Sequence, residues 1–295
     1  MRFPPLVQAD DTGFLRDVSV IYTDIDGTFL APGGRLLLDG DKQPSLDLVR
    51  VVLELAEAGV EVVPVTGRGR HSVSEIARLL GFGTVVAEMG SVTQRGSGWT
   101  SRITYDTGQW DHNPAVHRRP YEAIEATGVT QELVAAFPGR LERIMPFADG
   151  REVTHVFRGN VETGRAQAIV DGNDLPFVFR DNGRIHPPSH GLTLEEGEAV
   201  HVYHLMPRGV DKGTAVEADM EHRGIGPEQA VGIGDSISDV AMGLHTGSFV
   251  VMQNALEHAD LLERAQGLGK PVVATSGTTS SGWVEFARVL LAQKK

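Results

Sequence analysis

The chain has 295 residues, of which 41% are hydrophobic and 22% are charged, and its 27 Lys and Arg against 39 Asp and Glu give a net charge of -12. This length and composition predict a globular protein of one large or two modest domains and argue against intrinsic disorder. Because the chain contains no Cys, disulfides, Cys-ligated zinc, iron–sulfur clusters and a thiol nucleophile are excluded.

The first residues, MRFPPLVQADD, lack an apolar run of signal-peptide length, and nowhere do 18 consecutive apolar residues occur. We therefore expect a cytoplasmic protein without a membrane span. The acidic excess, with no compensating block of Lys and Arg, disfavours nucleic acid as a partner. If the substrate is an anion, a bound cation or a local basic pocket must overcome the negative electrostatic potential of the chain. Nothing in the sequence indicates an oligomeric state.

Over the first 90 residues, short apolar runs alternate with helical patterns, which is typical of a parallel sheet flanked by helices. Ser45 is the predicted N-cap of the first helix, and Gly59 and Gly81 end the two helices. The predicted elements are a strand over 18–22, a helix over 46–58, a strand over 60–65, a helix over 70–80 and a strand over 84–87.

The middle third, residues 91–198, contains more polar and Gly-rich stretches. We interpret it as a separate α+β domain inserted into the first. The sequence Asp181-Asn182-Gly183 predicts a hairpin turn, because Asn-Gly tolerates positive φ. The other predicted elements are helices over 120–126 and 131–137 and strands over 152–157 and 177–179.

Alternation resumes after the insertion. The predicted fold is therefore α/β, a doubly wound and mostly parallel Rossmann-like sheet built from residues 1–90 and 199–295, with the α+β insertion at 91–198. The predicted elements of the last part are strands over 201–205, 230–233 and 249–252 and helices over 213–222, 240–244 and 283–292.

Four polar clusters follow predicted strands, at the sheet edge where open parallel sheets bind ligands. Each cluster alone is a weak signal, but the set in this order is a strong one. The clusters are Asp24-Ile25-Asp26-Gly27-Thr28, Thr66-Gly67-Arg68, Gly209-Val210-Asp211-Lys212-Gly213 and Gly234-Asp235-Ser236-Ile237-Ser238-Asp239.

In the first cluster, Asp24 and Asp26 point the same way while the chain is extended, and Gly27 then permits a sharp turn. One carboxylate suits a nucleophile and the other a general acid and base. The alternatives are an Asx turn or a calcium loop. A calcium loop counted from Asp24 is excluded, because its twelfth position is Arg35.

In the other clusters, Asp235 and Asp239 add carboxylates that suit a magnesium site together with Asp24. The alternative for both is capping of the helix that follows. Thr66 offers a hydroxyl and Gly67 a backbone N–H where a strand ends and a helix begins, which is a natural phosphate site. Lys212 supplies positive charge, and its place between Gly residues, after a strand, distinguishes it from an ordinary surface lysine.

These four clusters resemble motifs one to four of the haloacid dehalogenase (HAD) superfamily of phosphatases. The insertion resembles the C2-type cap of the Cof-like sugar-phosphate phosphatase branch in placement and size. The segment Val251-Met252-Gln253-Asn254-Ala255 is similar to the Met-x-Asn-Ala segment of that branch. The resemblance covers residues 18–260.

The resemblance implies a role for each matching residue. It makes Asp24 the nucleophile, Asp26 the general acid and base, Thr66, Gly67, Lys212 and Ser238 phosphate-binding residues, and Asp24, Asp26 through its carbonyl, Asp235 and Asp239 the Mg2+ site. The chain departs from the family in two places. Ser238 stands where Asn is usual, and Met89-Gly90-Ser91 stands where Asn-Gly-Ala is common.

The predicted function is Mg2+-dependent hydrolysis of a small phosphomonoester, a sugar phosphate by resemblance, through an aspartyl-phosphate on Asp24. The alternatives are a phosphosugar mutase with the same nucleophile and a non-catalytic, receiver-like phosphate-binding module. In the cap, residues suited to a substrate hydroxyl or a second anionic group are Arg143, His155, Arg158 and Arg184, although nothing in the sequence aims them at the site.

Overall fold

The computed structural model describes residues 3–6, 13–96, 98–145, 147–185 and 191–294. Most of the N-terminal run on which the localisation prediction depends lies outside these residues. None of the described helices combines the length and the apolar character that a bilayer crossing requires.

The central sheet consists of parallel strands, with β1 (Val20–Thr23) between β2 (Glu61–Pro64) and β10 (Ala230–Gly234). Strands β11 (Ser248–Val251) and β12 (Val272–Ala274) continue it in the order β12-β11-β10-β1-β2. All five are largely buried, because helices cover both faces of the sheet. The ends of β1 and β10 therefore lie side by side at one edge.

Helices cover this sheet in two groups, each with its own apolar cluster. The predicted doubly wound α/β fold with an inserted α+β unit is confirmed. One face carries α1 (Asp47–Glu57), α2 (Arg70–Leu80) and α9 (Thr279–Gln293), and the other carries α6 (Lys212–Arg223), α7 (Ile237–His245) and α8 (Ala259–Gln266).

A second group of core strands is antiparallel: β3 (Thr84–Ala87) pairs with β4 (Val92–Arg95), which pairs with β5 (Arg102–Tyr105). A parallel bridge from Val65 to Val86 joins this group to the end of β2. The three strands thus extend the central sheet past the end of β2.

The insertion forms an antiparallel sheet of β6 (Leu141–Arg143), β7 (His155–Gly159), β8 (Phe177–Ile185) and β9 (Val200–Pro207), in the order β6-β7-β9-β8. Aromatic and aliphatic side chains on one face of this sheet pack under three helices. These helices are α3 (Pro120–Ala126), α4 (Val129–Ala136) and α5 (Thr163–Gly172). We call this unit the cap.

Two details of the predicted elements are wrong. The strand predicted at 201–205 is present as β9, but it pairs with β7 and β8 of the cap and not with strands of the core. Alternation of side chains reveals a strand but not its partner. The turn predicted at Asp181-Asn182-Gly183 is a bulge within β8, where the register shifts between Asp181 and Arg184. Gly183 has φ 97, and a bulge uses positive φ as readily as a hairpin turn does.

Both predicted domain boundaries fall between strands that pair with each other. The boundary at 90/91 separates β3 from β4, and the boundary at 198/199 separates β8 from β9. We therefore propose that the cap extends from about residue 108 to residue 207, so that each sheet stays within one unit.

Trp283 of α9 ties that helix to the end of β1. Its ring is buried and meets Phe29 edge to face, with ring centroids 4.8 Å apart. Its Nε1 donates a hydrogen bond to Thr23 Oγ1 (3.1 Å), and Thr23 Oγ1 donates to the carbonyl of Asp24 (2.8 Å). The packing of α9 thus helps to fix the backbone that carries Asp24.

We expect Trp283→Ala to lower the free energy of unfolding by about 3–5 kcal/mol, because it leaves a cavity in the core. Trp283→Phe keeps an aromatic ring and loses chiefly the hydrogen bond, so we expect a loss of about 1 kcal/mol. Urea unfolding followed by circular dichroism measures both. Equal losses in the two variants would contradict the packing role of this ring.

Candidate active site

The carboxyl ends of β1 and β10 bring three carboxylates together. Asp24 follows β1, and its backbone N–H donates to the carbonyl of Ile233 in β10 (3.1 Å). Asp235 follows β10, and Asp239 lies in the first turn of α7. One carboxylate oxygen from each of these three residues lies within 4.8 Å of the other two. The structure thus places the predicted acidic residues of the first and fourth clusters at one point.

Lys212 places a buried ammonium between two of these carboxylates. It is the first residue of α6, whose N-terminus is capped by the carboxylate of Asp211. Its Nζ donates to Asp24 Oδ1 and to Asp239 Oδ1, both at 2.6 Å, and the residue is 3% exposed. Burial alone would lower the pKa of Lys212, but Asp239 and Asp24 hold that pKa well above its ordinary value. Lys212 is therefore a fixed positive charge.

Asp239 uses its two oxygens for different purposes. Its Oδ1 accepts from Lys212, whereas its Oδ2 accepts from the backbone N–H of Asp235 and of Ser236 and from the Ser236 hydroxyl. Ser236 is the N-cap of α7, so the capping interpretation accounts for Oδ2. The same carboxylate therefore caps the helix and orients Lys212.

The three carboxylates outnumber the one buried ammonium. Burial raises the pKa of Asp24 well above its ordinary value; Lys212 opposes this shift, and Asp239 and Asp235 reinforce it. Burial likewise raises the pKa of Asp235 to about 7, with Asp239 adding to the effect. Excess negative charge on hard oxygen atoms is the donor chemistry that Mg2+ prefers, so these residues fit the cation that the resemblance implies.

Asp235 is held by residues that the sequence analysis did not place in the site. Thr28 Oγ1 donates to its Oδ1 (3.2 Å), and Asn254 Nδ2 donates to its Oδ2 and to the carbonyl of Gly27, both at 3.0 Å. Gly27 has φ +81, and a Cβ there would lie 2.1 Å from Asp235 Oδ2. The signal for Asn254 is the Met-x-Asn-Ala segment, which the sequence analysis noted without assigning it a role.

Asp26 lies beside this cluster, and its side chain is 56% exposed. Arg68 binds its carboxylate with two hydrogen bonds, from Nε to Oδ2 (2.7 Å) and from Nη2 to Oδ1 (2.5 Å). A bidentate pair of this kind fixes the orientation of the carboxylate and compensates its negative charge. Arg68 belongs to the second sequence cluster, and the structure makes it the partner of Asp26.

The predicted phosphate-binding residues differ in where they lie. Thr66 is buried at the end of β2, and its Oγ1 accepts from the backbone N–H of Arg68 (3.2 Å). Gly67 follows it and faces the cap. Ser238 lies in α7, where its hydroxyl bonds that of Ser236 (2.8 Å). Within the described part of the chain, no hydrogen bond links Ser238 to Asp24 or Lys212.

The cap reaches this site through residues that were not predicted. Arg151 Nη2 donates to the carbonyl of Gly67 (2.9 Å). A Cβ built on Gly67 would lie 3.4 Å from Asn182 Nδ2 and 3.6 Å from His204 Nε2. The cap residues suggested by sequence have other surroundings. Arg143 and Arg158 form ion pairs with Glu125 and Glu142, His155 stacks on Tyr121, and Arg184 is exposed.

Comparison with known proteins supports the resemblance found in the motifs. Residues 196–266 match the family model described as haloacid dehalogenase-like hydrolase. The chain is 26% identical to a phosphoglycolate phosphatase from Methanoculleus marisnigri, over 81% of this chain and 85% of that protein. It is 25% identical to phosphatase YwpJ from Bacillus subtilis, over 81% and 91% of the two chains. The sucrose-phosphatase from Synechocystis shares the fold, with a TM-score of 0.59 over 93% of this chain and 98% of that one at 14% identity.

The raised pKa of Asp235 predicts a pH-dependent stability in protein treated with EDTA. The folded state binds this proton up to about pH 7, whereas an unfolded chain releases it near the ordinary pKa of 3.8. The stabilisation is therefore complete below the ordinary value and is lost as the pH rises through about 7. We therefore expect the contribution of Asp235 to the free energy of unfolding, measured by urea titration, to decrease as the pH rises from about 4 to about 7.

Asp235→Asn removes the titrating group, so the difference between wild type and variant isolates its contribution. Asp41→Asn, a change in an exposed turn, serves as the control and leaves the wild-type profile unchanged. If Asp235→Asn and wild type have parallel profiles between pH 4 and 7, the prediction is wrong.

Proposed function

We propose that this chain is a phosphatase of the haloacid dehalogenase-like hydrolase family, and that it hydrolyses a small phosphomonoester through an aspartyl-phosphate formed on Asp24. The observation that carries this proposal is the position of the Asp24 carboxylate. It lies buried at the carboxyl end of the central strand, 2.6 Å from the Lys212 ammonium and next to Asp235. A carboxylate with these neighbours suits attack on a phosphorus atom whose oxygens are held by cations.

In the proposed reaction, an oxygen of Asp24 attacks phosphorus in line with the ester oxygen that leaves. Thr66, Gly67 and Lys212 bind the remaining phosphoryl oxygens through a hydroxyl, a backbone N–H and an ammonium. A Mg2+ ion held by Asp24, Asp235 and the backbone carbonyl of Asp26 would neutralise negative charge on those oxygens. Asp239 orients Lys212 for this task.

Asp26 is proposed to handle the protons. It gives a proton to the ester oxygen as the bond to phosphorus breaks, so that the leaving group departs as an alcohol. It then takes a proton from the water that attacks the aspartyl-phosphate and releases inorganic phosphate. Arg68 holds both oxygens of the Asp26 carboxylate in this structure, so at least one of these hydrogen bonds must open before Asp26 carries a proton to the ester oxygen.

Two substrate classes are supported by different observations. The Cof-like resemblance favours a sugar phosphate, and the sucrose-phosphatase from Synechocystis has the same fold. The likeness to the phosphoglycolate phosphatase from Methanoculleus marisnigri favours 2-phosphoglycolate. A phosphosugar mutase would use the same nucleophile but would return the phosphoryl group to a sugar, so its product is a positional isomer rather than free phosphate.

The test is phosphate release from sugar phosphates, phosphoglycolate, phosphoglycerates and nucleotides, with and without Mg2+. We expect Mg2+-dependent release by the wild type and a loss of about 1,000-fold or more in Asp24→Asn, because no other group replaces the nucleophile. Asp41→Asn, which also removes one carboxylate, controls for the change in charge and is expected to match the wild type.

Retained activity in Asp24→Asn would rule out Asp24 as the nucleophile. Release that does not depend on Mg2+ would rule out the proposed metal site. A sugar phosphate converted to its isomer without release of phosphate would favour the mutase.

A further inference from the structure

The sheet of the cap has a second face that the three cap helices do not cover. Phe157, Phe179 and Tyr203 belong to the apolar cluster under the helices. Side chains alternate along a strand, so the residues between them point to the other face. Arg180 and His204 are direct cross-strand partners on that second face.

This second face lies against the core segment Thr66-Gly67-Arg68, which we call the phosphate loop because the proposed function assigns Thr66 and Gly67 to phosphate binding. His204 Nε2 and Asn182 Nδ2 lie 3.6 and 3.4 Å from the position of a Cβ on Gly67. Asn182 reaches this position from the bulge in β8, where Gly183 donates its N–H to Asp181 Oδ1 (2.7 Å). The bulge therefore directs a side-chain amide to Gly67, one of the residues proposed to bind the phosphoryl group.

His204 carries an unsatisfied polar atom. It is 2% exposed, and its Nδ1 has no hydrogen-bond partner among the described residues. Burial, together with the charges of Arg151, Lys212 and Arg180, holds the pKa of His204 well below its ordinary value, so the ring is neutral. The other ring nitrogen, Nε2, is the one that lies next to Gly67, where a ligand can reach it.

The charged groups around His204 are of one sign. Arg151 and Lys212 already have partners, in Gly67 and in the carboxylates of the core. Arg180 is half-buried, and within the described part of the chain its side chain has neither an ion pair nor a hydrogen bond. In a chain with a net charge of -12, an unpaired guanidinium beside His204 suits a second anionic group of a substrate.

The short distances limit the size of that group. Besides Asn182 and His204, Met89 Sδ would lie 3.2 Å from a Cβ on Gly67, and Arg151 contacts the carbonyl of this glycine. Little room separates the phosphate loop from the cap sheet at this point. Because Asn182 and His204 lie this close to Gly67, an acidic group that they bind would be only a few bonds from the ester oxygen of a phosphate bound at Gly67.

We propose that Arg180, Asn182 and His204 form a subsite that binds a carboxylate on the leaving group, so that the substrate class is a short phosphorylated hydroxy acid rather than a neutral phosphorylated sugar. The proposal rests on the proposed function, because it concerns the leaving group of the same ester. Arg180 supplies the charge, Asn182 donates a hydrogen bond, and His204 offers Nε2, the ring nitrogen that faces Gly67.

The test compares two esters that differ only in the acidic group, 2-phosphoglycolate and 2-hydroxyethyl phosphate. The readout is the ratio of their kcat/KM values. We expect the wild type to favour 2-phosphoglycolate, and Arg180→Met to lower this ratio by about 10- to 100-fold, the effect of losing one charge-assisted hydrogen bond. Asn182→Ala lowers the ratio in the same direction by a smaller factor.

Arg184→Met is the matched control, because it removes the same kind of side chain from an exposed position on the same strand and should leave the ratio unchanged. A ratio near one in the wild type would overturn the proposal. So would an equal loss on both esters in Arg180→Met, which would indicate a structural role for this residue.

A binding measurement separates this proposal from the proposed function. In the Asp24→Asn variant, titration calorimetry with 2-phosphoglycolate and with inorganic phosphate measures the affinity for each ligand without turnover. Adding Arg180→Met should weaken the binding of 2-phosphoglycolate about tenfold or more and should weaken the binding of phosphate much less. If the wild type releases phosphate from no ester while this difference persists, the proposed function fails and the subsite stands. If the affinities for the two ligands fall by the same factor, the proposed subsite is wrong.

Discussion

The buried ammonium of Lys212 is the interaction on which the site depends. It hydrogen-bonds Asp24 and Asp239, which come from different parts of the chain, and so holds the ends of β1 and α7 together. Removing one partner from such a buried pair typically costs about 3–5 kcal/mol, because the other charge stays uncompensated. Lys212 balances only part of the negative charge, since Asp235 lies in the same cluster. The fold thus compensates the buried carboxylate of Asp24 and leaves negative charge that a further cation could balance.

A second buried charge fixes the cap over this site. The carboxylate of Glu88, directly after β3, accepts hydrogen bonds from the three backbone N–H groups of residues 152–154. Glu88 and Met89 both have positive φ, 53 and 62, a conformation that costs about 1–3 kcal/mol for such residues. The bonds to Glu88, with that from Arg151 to Gly67, offset this strain. The unusual Met89-Gly90-Ser91 segment therefore belongs to the joint between core and cap.

Sequence reasoning predicts the core of the site but not its cap side, for a physical reason. Asp24 and Asp235 follow strands of one parallel sheet, whose carboxyl ends meet whatever the details of packing, and Lys212 begins the helix that precedes β10 of that sheet. Asn182 and His204 depend on which strands pair in an antiparallel sheet and on a bulge in one of them. Side-chain alternation is the same for every possible partner, and Asn-Gly suits a turn as well as a bulge. The local sequence therefore does not indicate which strands of the insertion pair with each other.

The two sides of the site thus contribute charges of opposite sign. The core supplies carboxylates that attract a metal ion, and the cap supplies Arg180 and the neutral ring of His204, which suit an anion. Gly67 is the boundary between them, because a side chain at this position would meet both Met89 and the cap. In the proposed function, the chemistry at phosphorus depends on the core alone, whereas the size and charge of the leaving group depend on how closely the cap sheet approaches Gly67. We therefore expect changes in β8 and β9 to alter which ester is accepted without altering the groups proposed to cleave it.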